Sequence, residues 1–254
     1  MRKRLICSIA LAVVVGVATC ASAAEITLIA PGGVRAAITQ MIPAFEHKTG
    51  HTVKATFGSG GGTKGRVIKG EAFDVPVVQP PVGEVVASGH VIAATETPLA
   101  NVAVGLAVRA GAPKPDISNA EAVKRMLVGA KAIAYPDAAR GAAAGESFNA
   151  TLQKLGIAEA MKPKIKIAQG GAGAMQMLAK GEVDYGLTFI SEIITEPGVE
   201  LVGALPRDIS PRTELIGFIG AQAKDPEAAK ALLAYLTGPE AAKVYTERGM
   251  QPGR

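Results

Sequence analysis

Apolar residues fall in short runs, each stopped by glycine or proline and followed by a stretch where they recur every three or four positions. Ile26-Thr27-Leu28-Ile29-Ala30 is the first run, stopped by Pro31-Gly32-Gly33, and it predicts a buried parallel strand. Val34, Ala37, Ile38, Met41, Ile42 and Phe45 then share one helical face, Pro43 predicts a kink or break, and Gly50 ends the helix. Thr52 to Phe57 is a second strand, followed by a glycine loop to Thr63 and a helix to Lys69. Phe73 to Val78 is a third strand, stopped by Gln79-Pro80-Pro81, with a short helix from Pro81 to Ser88. Alternation of this kind predicts α/β architecture.

Asn101 to Arg109 reads as one long β run, and Pro113-Lys114-Pro115-Asp116 after it as a surface turn. Ser118 caps a helix over Asn119 to Val128. Three further strands, at Tyr135, Ala168 and Thr188, each end in a loop of small or polar residues before a helix. Val199 to Val202 and Leu215 to Ile219 add β runs, and helices over Pro226–Leu236 and Glu240–Arg248 close the chain. The runs near 101–109 and 213–221 bracket one β-α layer. That predicts two lobes, each a mostly parallel sheet flanked by helices, with residues 24–104 and 216–254 in one, 105–215 in the other, and two crossings between them.

The loop Gly58-Ser59-Gly60-Gly61-Gly62-Thr63 carries the chemistry. Backbone amides left open between a strand and a helix N-terminus bind anions, and Ser59 and Thr63 add hydroxyls. The order Thr63-Lys64-Gly65 fails the phosphate-loop pattern, and Gly60-x-Gly62-x-x-Gly65 matches the dinucleotide fingerprint without a carboxylate after the next strand. The carboxyl edge of the strands is where open α/β sheets hold ligands.

The N-terminus sets the compartment. Arg2-Lys3-Arg4, the apolar run Leu5 to Thr19 and Ala21-Ser22-Ala23 predict a signal peptide over residues 1–23, export to the periplasm without a lipid anchor, and a mature start at Ala24. Both cysteines, Cys7 and Cys20, leave with it, so no disulfide, thiol nucleophile or cysteine-based metal site is expected. Three of the 27 basic residues also leave, so 24 remain against 22 acidic ones, which is no nucleic-acid footprint. His47, His51 and His90 have no metal-ligand spacing, so neither metal nor cofactor is expected. No G-x-S-x-G and no H-E-x-x-H occurs, and an enzyme is not expected. The carboxylates nearest the loops are Asp74, Asp137, Asp184 and Glu192, the last two read as charges at a turn or helix end.

Five segments, Ile29-Ala30-Pro31-Gly32-Gly33, Phe57-Gly58-Ser59-Gly60, Gly70-Glu71-Ala72-Phe73-Asp74-Val75, Gly181-Glu182-Val183-Asp184-Tyr185-Gly186 and Thr237-Gly238-Pro239-Glu240-Ala241-Ala242, make the chain resemble the periplasmic solute-binding proteins of ABC importers. It is most similar to their molybdate-binding, type II branch. The resemblance implies a monomer that closes on a small anion and docks on an ABC permease in the inner membrane. It implies ligand contacts at Gly32 and Gly33, at Gly58, Ser59, Gly60 and Thr63, at Ala143 and Ala144, and at Gly171 and Ala172. Where the branch often has a tyrosine on the oxyanion, this chain has Phe189, next to Thr188, and where it often has a serine in the first loop this chain has glycine. The lost hydroxyls favour a small organic carboxylate, gripped by Arg140, over molybdate or tungstate, which stays open as the alternative. A ligand-sensing partner of a membrane receptor is a further alternative.

Overall fold

A computed structural model of the protein describes residues 23–253; the expected signal peptide, with Cys7, Cys20 and all but Ala23 of the expected cleavage site, lies outside the described residues. Among the described residues eleven strands form two sheets. In the first, β1 (Glu25–Pro31) runs parallel to β2 (Thr52–Gly58) and β3 (Val75–Val78). The same sheet holds β4 (Thr97–Val102), which pairs antiparallel with β10 (Thr213–Gly217) and β11 (Met250–Pro252), and β10 also pairs with β3. In the second, β6 (Ile133–Pro136) runs parallel to β7 (Ile165–Ala168) and β8 (Tyr185–Phe189). There β5 (Val104–Arg109) pairs antiparallel with β8 and with β9 (Val199–Ala204).

The single β run expected over 101–109 is two strands in two sheets, separated by Ala103 alone. Every residue from Val102 to Val108 is buried, so the apolar run carries no mark where it changes sheet. Residues 205–212 make the second crossing, and β10 lies whole in the first sheet rather than divided at residue 215. The main apolar core is continuous across the crossings, from Leu28 and Phe45 through Leu99, Val102 and Val104 to Phe148 and Leu187.

Two helices differ from expectation in ways that bear on the site. Arg35–Thr49 passes through Pro43 without a break. Pro43 and Thr39 both face solvent, so the carbonyl that loses its helical donor is met by water. The helix expected from Thr63 starts at Gly60, capped by Ser59, so the glycines form its first turn rather than a free loop.

Candidate functional site

The parallel strands of both sheets end at the same place. Gly32 after β1, Ser59 after β2, Gln79 after β3, Ala142 after β6, Gly170 after β7 and Ser191 after β8 all line one cleft of about 420 Å³ between the lobes. Its walls are rich in helix starts. The helices Ala143–Lys154 and Gly170–Ala179 have no side-chain cap, so their first amides stay unpaired by side chains and point donors at the cleft. Ser59 caps Gly60–Ile68, its Oγ accepting from the Gly62 N–H at 3.1 Å, and the hydroxyl proton stays free to donate.

The lobes touch at this rim. The Gly61 N–H donates to the Gly141 carbonyl at 3.0 Å, and the Ser191 hydroxyl donates to the Gly33 carbonyl at 2.6 Å. Both contacts require bare backbone. A Cβ on Gly61 would lie 3.1 Å from the Gly141 Cα, and one on Gly33 would lie 2.8 Å from the Phe189 ring. Phe189 is therefore both a wall of the cleft and the neighbour that excludes a side chain at Gly33; at Gly32 the nearest atom to a Cβ is 3.5 Å away, so there the glycine has no such reason.

Ten of the thirteen expected contact residues line the cleft: Gly32, Gly33, Gly58, Ser59, Gly60, Ala143, Ala144, Gly171, Ala172 and Phe189. Three do not. Thr63 is buried beneath the loop, its hydroxyl donating to the Ala30 carbonyl at 3.5 Å. Thr188 is buried one layer behind the cleft. Arg140 is exposed on the turn Ala138–Arg140 and is not part of the lining, because the Gly61–Gly141 contact fixes that turn by its backbone at the rim. The cation in the cleft is Arg35, the first residue of its helix, with its guanidinium 4.8 Å over the Phe57 ring.

Gln79, expected only to end a strand, and Glu192, expected as a charge at a turn or helix end, also line the cleft. Gln79 is buried, and its amide nitrogen has no hydrogen-bond partner among the described residues. A buried donor of this kind is destabilising unless something fills it. Glu192 stands in the short helix Ile190–Ile193, and its Oε2 accepts from the Thr188 hydroxyl at 2.5 Å. A Cβ on Gly171 would overlap that oxygen, so the carboxyl lies against the start of a helix. One face of Glu192 opens on the cleft while protein surrounds the rest. That desolvation raises its pKa, against the lowering effects of the Thr188 hydroxyl, the Phe189 backbone and Arg35; Glu196 raises it further.

The other three loop carboxylates have structural roles. Asp74 accepts from the Thr27 amide and hydroxyl and the Lys224 amide, at 2.6–2.7 Å. Asp137 accepts from the Ala139 amide at 2.9 Å, and Asp184 from the Lys131 amide at 2.6 Å. Among the described residues no group of three or more His, Cys, Asp or Glu could hold a metal ion, and no helix is long and apolar enough to cross a membrane.

The profile of bacterial extracellular solute-binding proteins matches residues 26–251. A Pseudomonas protein named aconitate isomerase is 33% identical over 233 residues, covering 89% of this chain and 87% of its own. The molybdate-binding protein ModA of Rhodobacter capsulatus is 28% identical over 245 residues, covering 94% and 93%. The solved periplasmic molybdate-binding protein of Azotobacter vinelandii superposes with a TM-score of 0.74 at 18% identity, covering 89% of this chain and 98% of that one, which shows the shared two-lobed fold.

Proposed function

This chain belongs to the bacterial extracellular solute-binding proteins, and from that premise we propose that its cleft captures a small organic polycarboxylate for delivery to an ABC importer. The observation that carries the reading is the room left in a molecule whose lobes already touch. With Gly61 bonded to Gly141 and Ser191 to Gly33, about 420 Å³ remains, within the ~300–1,000 Å³ of pockets that hold organic ligands. A lone tetrahedral oxyanion would leave much of that space unfilled. Arg35 and the unpartnered Gln79 amide in one lobe and two uncapped helix starts in the other supply several donors, which suits several carboxylates on one carbon frame. The Pseudomonas relative's name directs attention to unsaturated tricarboxylates such as aconitate.

A second reading, an inorganic oxyanion held by amides alone, is favoured by those uncapped helix starts and by the kinship with molybdate-binding proteins. Calorimetry with trans-aconitate, citrate, molybdate and tungstate on wild type, Arg35→Ala and Gln79→Ala decides between the two. The expected result is tricarboxylate binding that weakens in both variants. Tight molybdate binding that ignores Arg35→Ala would overturn the proposal in favour of the second reading.

A further inference from the structure

The cleft contains a group that a pure anion-binding site has reason to avoid. Glu192 lines the cleft, and the bare backbones of Gly32 in one lobe and Gly171 in the other lie close to its carboxyl. It forms no ion pair among the described residues, and the hydroxyl of Thr188 fixes Oε2. Arg35 and Glu196 are the charged groups around it. As a carboxylate it would repel a polyanion; as a carboxylic acid it would bring a proton to one. None of the other three loop carboxylates lines the cleft; of the four, Glu192 alone does, held by the Thr188 hydroxyl and the Phe189 backbone.

We infer that Glu192 takes a proton from the bound ligand and returns it two carbons away, so that the protein shifts the double bond of an unsaturated polycarboxylate as well as binding it. The inference rests on the reading that the cleft holds such a ligand. The step needs no co-reactant. The Glu192 carboxylate removes a proton from the CH₂ next to the C=C. The C–H electron pair becomes the new double bond, and the old π pair moves onto the carboxylate conjugated with it. The extra negative charge lies on carboxylate oxygens, within reach of the helix-start amides at Gly171 and Ala143 and the Gln79 amide. Glu192, now a carboxylic acid, gives the proton to the far end of the three-carbon system. Nothing is oxidised or reduced, and the double bond has moved by one position. A carboxyl kept out of water is a stronger base than an exposed one, which suits it to this transfer.

The test separates binding from chemistry. Wild type, Glu192→Gln and Thr188→Val are incubated with trans-aconitate in D₂O, with proton NMR reading deuterium uptake at the CH₂ and appearance of the cis isomer. Calorimetry on the same samples reads binding, and circular dichroism checks the fold. The expected result is exchange by wild type and at least a ~100-fold loss in Glu192→Gln, with its dissociation constant changed only severalfold. Thr188→Val, which alters only what holds Glu192, should move the pH at which the rate rises. Binding without exchange in wild type overturns the inference and leaves the carboxylate reading intact, as does exchange in Glu192→Gln at the wild-type rate. No binding at all removes both.

Discussion

Arg35 begins its helix where the backbone dipole disfavours a cation, with no acidic residue in the first turn to offset it. It is held there by the Phe57 ring and faces the cleft. A residue in such a position gives up a little stability for a site, and Arg35→Ala tests this. Stability should change by less than ~1 kcal/mol. Polycarboxylate affinity should fall by about 1.5–3 kcal/mol, roughly 10- to 150-fold, as a charge-assisted hydrogen bond is lost. Arg140→Ala, on the exposed turn, should leave affinity unchanged; a loss there equal to that of Arg35→Ala would refute the assignment. Glu192 makes a prediction about pH. Its folded-state pKa lies above the ordinary 4.5, chiefly through desolvation. Below the ordinary value both folded and unfolded chains hold the proton. As pH rises from there towards the raised value, the unfolded chain releases its proton first, so stability falls, and the whole penalty is in place above the folded value. Glu192→Gln removes the ionisation. Thermal melts should therefore match wild type near about pH 4 and lie above it near about pH 8. Equal melting temperatures at both would show that burial does not raise the pKa of this carboxyl.

Among the elements, the helix Gly60–Ile68 shows how a site outranks propensity. Glycine in a helix is about 1 kcal/mol worse than alanine, yet Gly60, Gly61 and Gly62 open this one. The Gln79 side chain crosses the space a Cβ on Gly60 would take, and the Gly141 backbone crosses that of Gly61. Ser59 repairs part of the loss as N-cap and offers its hydroxyl proton to the cleft. The two roles separate by substitution. Ser59→Ala should lower stability by ~1 kcal/mol and weaken binding, whereas Ser59→Gly should weaken binding with a stability change of a few tenths. Equal affinity for wild type and both variants, read by calorimetry, would remove Ser59 from the site. The glycines, their place after a strand and most of the cleft edge were legible from composition and period. What was not legible has physical causes. Ala103 divides two strands inside an unbroken buried run, and hydropathy has no mark for a change of sheet. Gln79 reads as a strand stop before two prolines, and only packing shows its amide unpartnered. Glu192 stands beside a turn, where carboxylates are ordinarily solvated, and its link to Thr188 becomes visible only with the helix in place. Arg35 does carry a signal, a cation at a helix start, but so does Arg140 in a loop before a helix, and the sequence does not show which of the two faces the cleft.

At the scale of the whole molecule, two narrow crossings join the sheets, and the lobes meet again at the cleft rim through Gly61–Gly141 and Ser191–Gly33. Two-lobed proteins of this architecture close by rotation about such crossings. The rim contacts therefore set how much of the population is closed without ligand, and apparent affinity scales with that fraction. Gly61→Leu tests the link. The nearest atoms to a new Cβ are backbone of the opposite lobe, 3.1 Å away, which cannot turn aside as a side chain could. The leucine should hold the lobes apart while suiting its own helix better than glycine by up to about 1 kcal/mol. Small-angle scattering should then show a larger radius of gyration than wild type without ligand, and calorimetry a weaker dissociation constant, with no fall in melting temperature. Loss of affinity accompanied by an equal loss of stability would mean that the substitution damaged the lobe itself. Unchanged scattering and unchanged affinity would mean that the rim contact plays no part in closure.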